Sequence, residues 1–404
     1  MLINTATSPA TAIVEGEHLI GEFIGDAAGA TLIAVGSVHG NEAGGAIALR
    51  KISQKLEDWR GKLRGRVYLI AGNTRSHARG ARFIDSDLNR HWTTENISKN
   101  SVQSGENFSN DSLQKNEDIE QRELLEIFER ILRTAEAEVF ALDLHSTSAE
   151  GLPFATVGDT MRNRRFAQKF PVTILLGIEE QLDGTMLEYL NTAGAVTFGF
   201  EGGQHDSPET AENHEALSWL ALVNSGILAA EEMPDLKLYH RILAKASGKL
   251  RVLEVCHREA IALEDEFEMN PGFENFDAVK GGQILAKNKR GAIRAVESGL
   301  ILMPLYQKQG EDGFFIGREI APFWLWLSGV LRKLKIGDLV RILPGVWRHP
   351  TDRESLVVNT RVARFFSLQI FHLLGFRKRR WHDNQLVVSR RRHDRHSPFK
   401  RRRR

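Results

Sequence analysis

Apolar and polar residues follow two different periods over residues 30–230. Four short, largely apolar runs have the length and composition of buried strands, at 31–38, 66–71, 138–144 and 195–200. Between them, residues 42–56 and 118–135 carry apolar side chains at helical spacing. Strands that alternate with helices predict an α/β fold with a mostly parallel sheet flanked by helices.

After residue 230 the predicted strands become shorter and more closely spaced. Short strand candidates at 250–256, 283–286 and 300–306 are separated by turns rich in Gly, Asp and Asn. They predict a smaller C-terminal β-rich domain. The predicted organisation is an N-terminal segment at 1–29, a main domain at 30–230 with a flexible, Asn- and Ser-rich insertion at about 94–117, the β-rich domain at 231–345, an amphipathic extension at 346–376 and a disordered basic tail at 377–404.

Composition changes this picture only at the C-terminus. The 404 residues are 42% hydrophobic and 26% charged, enough apolar content for real cores. Thirteen Lys and Arg residues lie in 377–404 against two Asp residues, so the tail carries a net charge of about +11 and the first 376 residues about −9. Such a tail could bind nucleic acid or anionic lipid, with residues 365–376 in a membrane interface. A solvated tail without a partner is the interpretation that we favour.

Three features of the chain indicate its compartment. Cys256 is the single cysteine, so no internal disulfide can form. The first residues lack the basic and apolar regions of a secretory signal. The longest apolar stretches, at 321–331 and 365–376, are shorter than the roughly 20 residues that span a bilayer. Together these features predict a cytoplasmic protein without a transmembrane segment.

Residues that suit metal chemistry follow three of the predicted strands. His39-Gly40-Asn41-Glu42 follows the first, Asp143-Leu144-His145 ends another, and Glu201 ends a third. Each motif alone is weak, since a buried histidine at a strand end is more often structural. Ligands bind at the carboxyl ends of parallel strands, and two histidines with one carboxylate are a known catalytic zinc set. The three together predict that residues 30–230 form a zinc hydrolase domain.

A loop at 73–90 adds a group of arginines. Arg75, Arg79, Arg82 and Arg90 stand there among apolar residues that could anchor the loop. A solvated charged loop is the simpler interpretation. Guanidinium groups bind carboxylates with two parallel hydrogen bonds, so in a zinc cleft they would favour an anionic substrate.

The ordered motifs resemble the succinylglutamate desuccinylase/aspartoacylase family, relatives of the zinc carboxypeptidases. The resemblance rests on His-Gly-Asn-Glu, Arg-Phe-Ile-Asp-x-Asp-Leu-Asn-Arg, Asp-Leu-His and the strand-end Glu, and it covers about residues 30–345. It implies a zinc-carboxypeptidase-like fold and one Zn²⁺ per subunit, held by His39, Glu42 and His145. It also implies that Glu201 is the general acid/base assisting a zinc-bound water, and that Arg82 polarises the scissile carbonyl.

The same resemblance implies a small substrate. Asn89 and Arg90 would hold the carboxylate of an anionic N-acyl amino acid, whose acyl group is removed. Segments 270–276, 302–306 and 312–315 are similar to the family's C-terminal β domain, which restricts access to the cleft. This chain departs from the aspartoacylase pattern after Glu201, where Gly-Gly-Gln-His205 lacks the proline-containing segment. The substrate-binding tyrosine of aspartoacylases has no clear counterpart, although Tyr306 is nearby.

Other functions fit parts of the sequence. A zinc carboxypeptidase that acts on peptides would use the same chemistry and differ only in access to the cleft. A protein that binds nucleic acid or a membrane surface through its tail would need no enzymatic site. A homo-oligomer is compatible with the sequence, which does not specify the oligomeric state, the acyl group or the amino acid.

Overall fold

A large mixed sheet runs through the molecule. The computed structural model describes residues 13–102, 115–350, 352, 354–359, 361–362, 368–382 and 385–399. Within these residues eleven strands form the main sheet: β1 Leu19–Ile24, β2 Ala27–Gly36, β3 Arg64–Ala71, β4 Val139–Thr147, β5 Phe154–Val157, β6 Thr173–Leu176, β7 Val196–Gln204, β8 Val252–Ala260, β10 Ala278–Val279, β13 Gly299–Leu302 and β14 Asp312–Glu319. Their order across the sheet is β1-β3-β2-β4-β7-β5-β6-β8-β14-β13-β10.

The centre of this sheet is parallel and buried on both faces. Strands β3, β2, β4 and β7 are parallel neighbours. Leu32 and Ala34 of β2 belong to the core on one face, and Ile33 and Val35 to the core on the other. A strand that is covered on both sides is apolar at every position. These strands can therefore be recognised in the sequence as continuous apolar runs.

Helices cover both faces. They are α1 Gly44–Leu56, α2 Thr74–Ala78, α3 Thr94–Val102, α4 Asn116–Thr134, α5 Met161–Ala167, α6 Met186–Thr192, α7 Pro208–Asn224, α8 Leu236–Ser247, α9 Pro322–Lys333 and α10 Leu368–Leu373. Helices α1 and α7 contribute Leu49 and Trp219 to one core, and α4 contributes Phe128 to the other. The amphipathic patterns predicted for 42–56 and 118–135 are therefore the buried faces of α1 and α4.

Two smaller antiparallel sheets follow the main one. The first contains β9 Glu268–Met269, β11 Ile284–Asn288 and β12 Gly291–Arg294. The second contains β15 Val346–Arg348, β16 Ser355–Asn359, β17 Phe376–His382 and β18 Gln385–Arg390, in the order β15-β16-β18-β17. The second sheet has its own apolar core, to which Leu356, Phe371 and Val388 belong.

The predicted fold class is confirmed: an α/β fold with helices around a large sheet and a small C-terminal β-rich region. Strands β8, β10, β13 and β14 continue the main sheet rather than forming a separate one. Helices α8 and α9 also lie within the segment predicted as β-rich. The domain boundaries at residues 230 and 345 stay predictions.

One prediction of disorder, that of the tail, is wrong for the described residues, while the flexible insertion stays a prediction. The predicted insertion begins with helix α3, while 103–114 lie outside the described residues. The predicted disordered tail forms β17 and β18, because Leu386 and Val388 alternate inward and pack into the second small sheet. Phe371 and Phe376 of the predicted amphipathic extension are buried there too, so they do not face a membrane interface. None of the helices described above combines the length and apolar composition needed to cross a membrane.

Candidate active site

The carboxyl ends of β2, β4 and β7 bring the predicted catalytic residues together. Because these strands are parallel neighbours, their ends meet at one edge of the sheet, and His145 lies directly beside Glu201 in the register of β4 and β7. His39 and Glu42 follow β2 in the turn that leads into α1. One cleft is therefore lined by all seven residues predicted for the site: His39, Glu42, Arg82, Asn89, Arg90, His145 and Glu201.

A tight turn after β2 orients His39 and Glu42. A Cβ atom on Gly40 would lie 2.3 Å from the backbone carbon of Ser76, so only glycine fits there. Ser37 has a backbone φ of 58°, a left-handed conformation that is uncommon for residues other than glycine. Its hydroxyl donates a hydrogen bond to the backbone oxygen of Glu42 at 3.1 Å. The turn thus fixes the path of the backbone from His39 to Glu42.

Glu42 joins two imidazoles at the floor of the cleft. Its Oε1 lies 2.8 Å from Nδ1 of His39, and its Oε2 lies 2.9 Å from Nδ1 of His145. The backbone N–H of Ser146 donates to Oε2 as well, at 3.0 Å. One ligand atom from each of the three residues lies within 4.8 Å of the others, and all three residues are buried. They form a candidate metal-binding group.

A second carboxylate supports each imidazole. Nε2 of His39 lies 3.0 Å from Asp87, and Nε2 of His145 lies 2.8 Å from Asp143. Burial alone would lower the pKa of His145, but Asp143 and Glu42 raise it well above its usual range. Histidines that bind metals are commonly oriented in this way by a carboxylate on the other ring nitrogen. The sequence motif that ends β4 contains Asp143, whereas no sequence motif gave a role to Asp87.

The charge of the group fits a divalent cation. Four carboxylates, those of Glu42, Asp87, Asp143 and Glu201, surround the two imidazoles. Glu42, Asp87 and Asp143 are almost inaccessible to solvent, where an unbalanced negative charge is costly. Arg82 is the arginine in contact with them, and together with the positive charge of His145 it still leaves the four carboxylates in excess. Imidazole nitrogen with carboxylate oxygen is also a donor set that suits zinc.

Glu201 differs from the other carboxylates of the group. Its Oε2 atom is buried and has no hydrogen-bond partner among the described residues. Burial raises the pKa of Glu201 to about 7, although the positive charge of His145 opposes the shift. A Cβ atom on the following Gly202 would lie 2.7 Å from the ring of His214, so glycine lets β7 pack closely against α7. A carboxyl group with such a pKa can accept and release a proton near neutral pH.

The arginine loop is fixed rather than solvated. The buried carboxylate of Glu117 accepts hydrogen bonds from the backbone N–H groups of Ile84 and Asp85, at 2.8 and 2.9 Å. Arg82 extends from this loop, with Nη1 3.0 Å from Glu42 and Nη2 3.3 Å from Asp87. Its positive charge therefore lies against the candidate metal group, as the sequence predicted.

Asn89 and Arg90 also face the cleft, but they differ in their contacts. Asn89 Nδ2 lies 3.4 Å from Nε2 of His145, and Asn89 Oδ1 accepts a hydrogen bond from the backbone of Met186 at 2.8 Å. Arg90 Nη2 instead pairs with Asp312 of β14 at 2.6 Å. A carboxylate of the chain itself thus occupies part of the guanidinium predicted to hold the substrate. The sequence gave no sign of Asp312, because 222 residues separate the pair.

The C-terminal half of the chain completes the cleft, which encloses about 760 Å³. Gln307 accepts a hydrogen bond from Asn41 at 2.8 Å, so the loop after β13 closes over the turn that bears His39. Arg377 and Arg390 of the second small sheet also line it, as do Arg391 and Arg392 directly after β18. Tyr306 is not part of the lining, since its hydroxyl donates to the backbone oxygen of Asn270 at 3.0 Å. The sequence predicted neither the arginines nor this orientation.

Residues 28–224 match the model of the succinylglutamate desuccinylase/aspartoacylase catalytic domain. Residues 28–224, just under half of the chain, are therefore similar to the catalytic domain of this family. Members of this family are hydrolytic deacylases, which supports the assignment of the chain as an enzyme. Every residue of the candidate metal group, together with Arg82 and Glu201, lies inside the matched segment.

Solved structures of this family share the fold. A succinylglutamate desuccinylase/aspartoacylase from Rhodobacter sphaeroides aligns with TM-score 0.52 and 16% identity, over 73% of this chain and 87% of its own. A succinylglutamate desuccinylase from Vibrio cholerae aligns with TM-score 0.51 and 19% identity, over 74% and 84%. The ectoine utilization protein EutE (DoeB) from Ruegeria pomeroyi, with product bound, aligns with TM-score 0.50 and 19% identity, over 73% and 87%. A search of the curated proteins gives no match.

Proposed function

We propose that this chain is a zinc-dependent amidohydrolase that removes the acyl group from a small anionic N-acyl amino acid. The observation that carries the proposal is the position of Glu201 beside His39, Glu42 and His145 in one cleft. A zinc ion held by these three ligands would supply a Lewis acid for the amide carbonyl and for the attacking water. The other steps rest on residues of the chain.

Glu201 moves the proton. Its buried Oε2 lacks a partner and its pKa is raised to about 7, so it can take a proton from the attacking water. The same carboxyl group then gives the proton to the nitrogen of the departing amino acid. Hydrolysis is complete when the acyl group leaves as a carboxylate and the amine as a free amino acid.

Arg82 stabilises the negative charge that develops on the carbonyl oxygen, and Arg90 binds the carboxylate of the substrate. Arg82 is held against Glu42 and Asp87, so its positive charge is already in place when the carbonyl oxygen becomes negative. Arg90 has a buried Nε without a hydrogen-bond partner among the described residues, and Asn89 lies beside it in the cleft lining. We assign these two residues to the carboxylate of the substrate. The contact between Arg90 and Asp312 would then weaken or rearrange on binding.

The walls of the cleft favour a small substrate over a peptide. Gln307 accepts a hydrogen bond from Asn41, and Arg377 and Arg391 also line the cleft. Arg391 is itself fixed by an ion pair with Glu180 at 2.7 Å. A long peptide would have to displace these contacts, whereas an acylated amino acid would not. The chemistry is otherwise that of a carboxypeptidase, which remains the competing assignment.

A substrate screen tests the proposal. The zinc-loaded protein is assayed with N-acetyl and N-succinyl derivatives of acidic, neutral and basic amino acids, and with short peptides that carry a free C-terminus. Cleavage of an acidic acyl amino acid is expected, with loss of activity after chelation and its return with zinc. Glu201→Gln, purified in parallel, shows whether the activity comes from a contaminant. Faster cleavage of peptides, or activity that resists chelation, would contradict the proposal.

A further inference from the structure

The outward face of helix α9 carries a cluster of exposed aromatic side chains. Phe323, Trp324 and Trp326 are 57%, 48% and 63% exposed. They contact one another, with ring centroids 5.3 Å apart for Phe323 and Trp324 and 5.9 Å apart for Phe323 and Trp326. Large apolar side chains that are exposed together rather than singly indicate an interaction surface.

The inner face of α9 is firmly attached, so the aromatic face cannot turn inward. Ser328 donates a hydrogen bond to the backbone oxygen of Leu373 at 2.9 Å. Arg332 is buried and pairs with Asp159 at 2.7 Å and with Asp394 at 3.2 Å. The orientation of the helix is thereby set by polar contacts on one side, and its aromatic side chains are held in solvent on the other.

Further exposed apolar side chains follow the helix in the chain. Leu334 directly follows α9, and the 3-10 helix Ile336–Ile342 comes next in the chain and packs against α9. Leu334, Leu339 and Ile342 are 64%, 54% and 79% exposed. We call Phe323, Trp324, Trp326, Leu334, Leu339 and Ile342 the α9 patch.

Basic residues lie on one side of the α9 patch and in the segment that follows it. Arg165 and Lys333 line a shallow groove of about 530 Å³ together with Trp326, and Lys335 and Arg341 follow in the chain. The structure records no ion pair for any of these four residues within its described ranges. The nearby acidic Asp338 is already paired with Arg390 at 2.6 Å. The rim of the patch is therefore positively charged.

The tail arginines behave in the opposite way. Arg377 pairs with Glu188 at 2.7 Å, and Arg391 pairs with Glu180 at 2.7 Å. These two arginines are therefore already neutralised by carboxylates of the chain itself.

We propose that the α9 patch binds an anionic membrane surface. Trp and Phe side chains are favoured at the level of lipid headgroups, and Lys and Arg beside them attract anionic lipids. A second copy of the chain fits less well, because a symmetric contact would bring the basic rim of one copy against that of the other. Nucleic acid would match the charge but leave the aromatic and aliphatic side chains in water. Since no residue of α9 lines the catalytic cleft, lipid binding leaves the cleft accessible.

Vesicle sedimentation of the full chain tests the proposal. Wild type is expected to sediment with vesicles that contain phosphatidylglycerol, not with vesicles of phosphatidylcholine alone, and added salt should weaken the binding. Replacing Phe323, Trp324 and Trp326 together by Ser should weaken binding on the order of ten-fold or more. Lys333→Glu with Lys335→Glu should weaken it on the order of ten-fold. Both variants should keep the deacylase activity and the thermal unfolding temperature of the wild type.

Matched controls separate the patch from exposure or charge in general. Leu263→Ser with Val296→Ser removes two other exposed apolar side chains, 87% and 64% exposed, and Lys237→Glu with Lys245→Glu reverses two charges on α8. Neither control should change vesicle binding. Binding by the triple Ser variant equal to that of wild type, or no binding by wild type, would overturn the proposal. A third outcome would also overturn it: wild type forms a dimer in sedimentation velocity, the triple Ser variant does not, and wild type does not bind vesicles.

Discussion

Two of the buried clusters of charged side chains among the described residues differ in how their charge is balanced. The first is the cleft group of His39, Glu42, Asp87, Asp143, His145 and Glu201, with Arg82. The second lies where α9 and the C-terminal strands meet the main domain. It contains Asp159, Arg164, Glu179, Glu180, Arg332, His372, Arg391 and Asp394.

In the second cluster each carboxylate has a cation of the chain. Asp159 contacts Arg164 and Arg332, Asp394 contacts Arg332, and Arg391 contacts Glu179 and Glu180. Burial alone would raise the pKa of Asp159, but the arginines hold it far below its usual range. The charges of this cluster therefore balance within the chain, although Glu179 Oε2, Arg164 Nη1 and Arg391 Nε lack hydrogen-bond partners among the described residues. The cluster joins distant parts of the chain.

In the cleft group the carboxylates outnumber the cations. Glu201 keeps an unpartnered Oε2 and Asp143 an unpartnered Oδ1, both buried, among the described residues. A protein tolerates this arrangement only where another positive charge or a substrate completes it. The comparison teaches that burial of charge is not itself a sign of function. The sign is charge that the chain leaves unbalanced.

The sharpest way to test this contrast is to remove the proton carrier. Glu201→Gln keeps the shape of the side chain but cannot accept a proton, so turnover should fall by about 10²–10⁴-fold. Zinc content should be unchanged, because Glu201 is not among the three proposed ligands. Elemental analysis and steady-state kinetics measure the two quantities. Glu212→Gln, exposed on α7, is the control. Turnover near that of wild type would remove Glu201 from the mechanism.

The opposite cluster should respond in stability. Arg332→Met leaves Asp159 and Asp394 with less positive charge in a buried place, so the free energy of unfolding should fall by about 3–5 kcal/mol. Arg133→Met removes an exposed contact with Glu129 and should cost less than about 1 kcal/mol. Denaturant unfolding measures both. Similar small effects from the two variants would show that the second cluster contributes no more than a surface pair.

The sequence predicted the central strands and the site residues at their ends, because burial on both faces of the sheet determines the residue type at each strand position. Strands β2, β4 and β7 are buried on both faces, so they are legible as apolar runs, and parallel strands place His39, His145 and Glu201 at one edge. The metal group, Glu201 and Arg82 therefore fell where the sequence predicted them.

The remaining features depend on contacts that no local pattern records. Arg90 with Asp312 and Arg391 with Glu180 are pairs more than 200 residues apart, and a charged residue does not indicate its partner. The alternation of Leu386 and Val388 is a strand pattern, but the surrounding arginines made the segment resemble a solvated tail. Arginines of this segment, such as Arg377 and Arg391, pair with acidic residues of the main domain, so their presence does not indicate disorder.

A smaller effect should come from the carboxylates that orient the ligands. Asp143→Asn keeps a hydrogen-bond acceptor but removes the negative charge beside His145, so zinc affinity should fall by about 10–100-fold. Competition with a zinc chelator measures the affinity. Asp235→Asn, on the exposed start of α8, is the control. Unchanged affinity in Asp143→Asn would mean that Asp143 serves the fold like the acids of the second cluster.

The smallest expected effect is a pH dependence confined to the second cluster. Burial alone would lower the pKa of His372, but hydrogen bonds to Glu180 and Glu254, at 2.9 and 2.8 Å, raise it to about 9. A pKa raised by folding stabilises the protein fully below about pH 6.5, the value in the unfolded chain, and the gain is lost as pH rises through 9. Since His372 is partly exposed, the contribution should be about 1–2 kcal/mol. His372→Gln lacks the charge, so the difference in free energy of unfolding between wild type and variant should be largest at pH 6 and should shrink by pH 9.5. A difference that is constant over this range would show that His372 stays neutral and acts only through its hydrogen bonds.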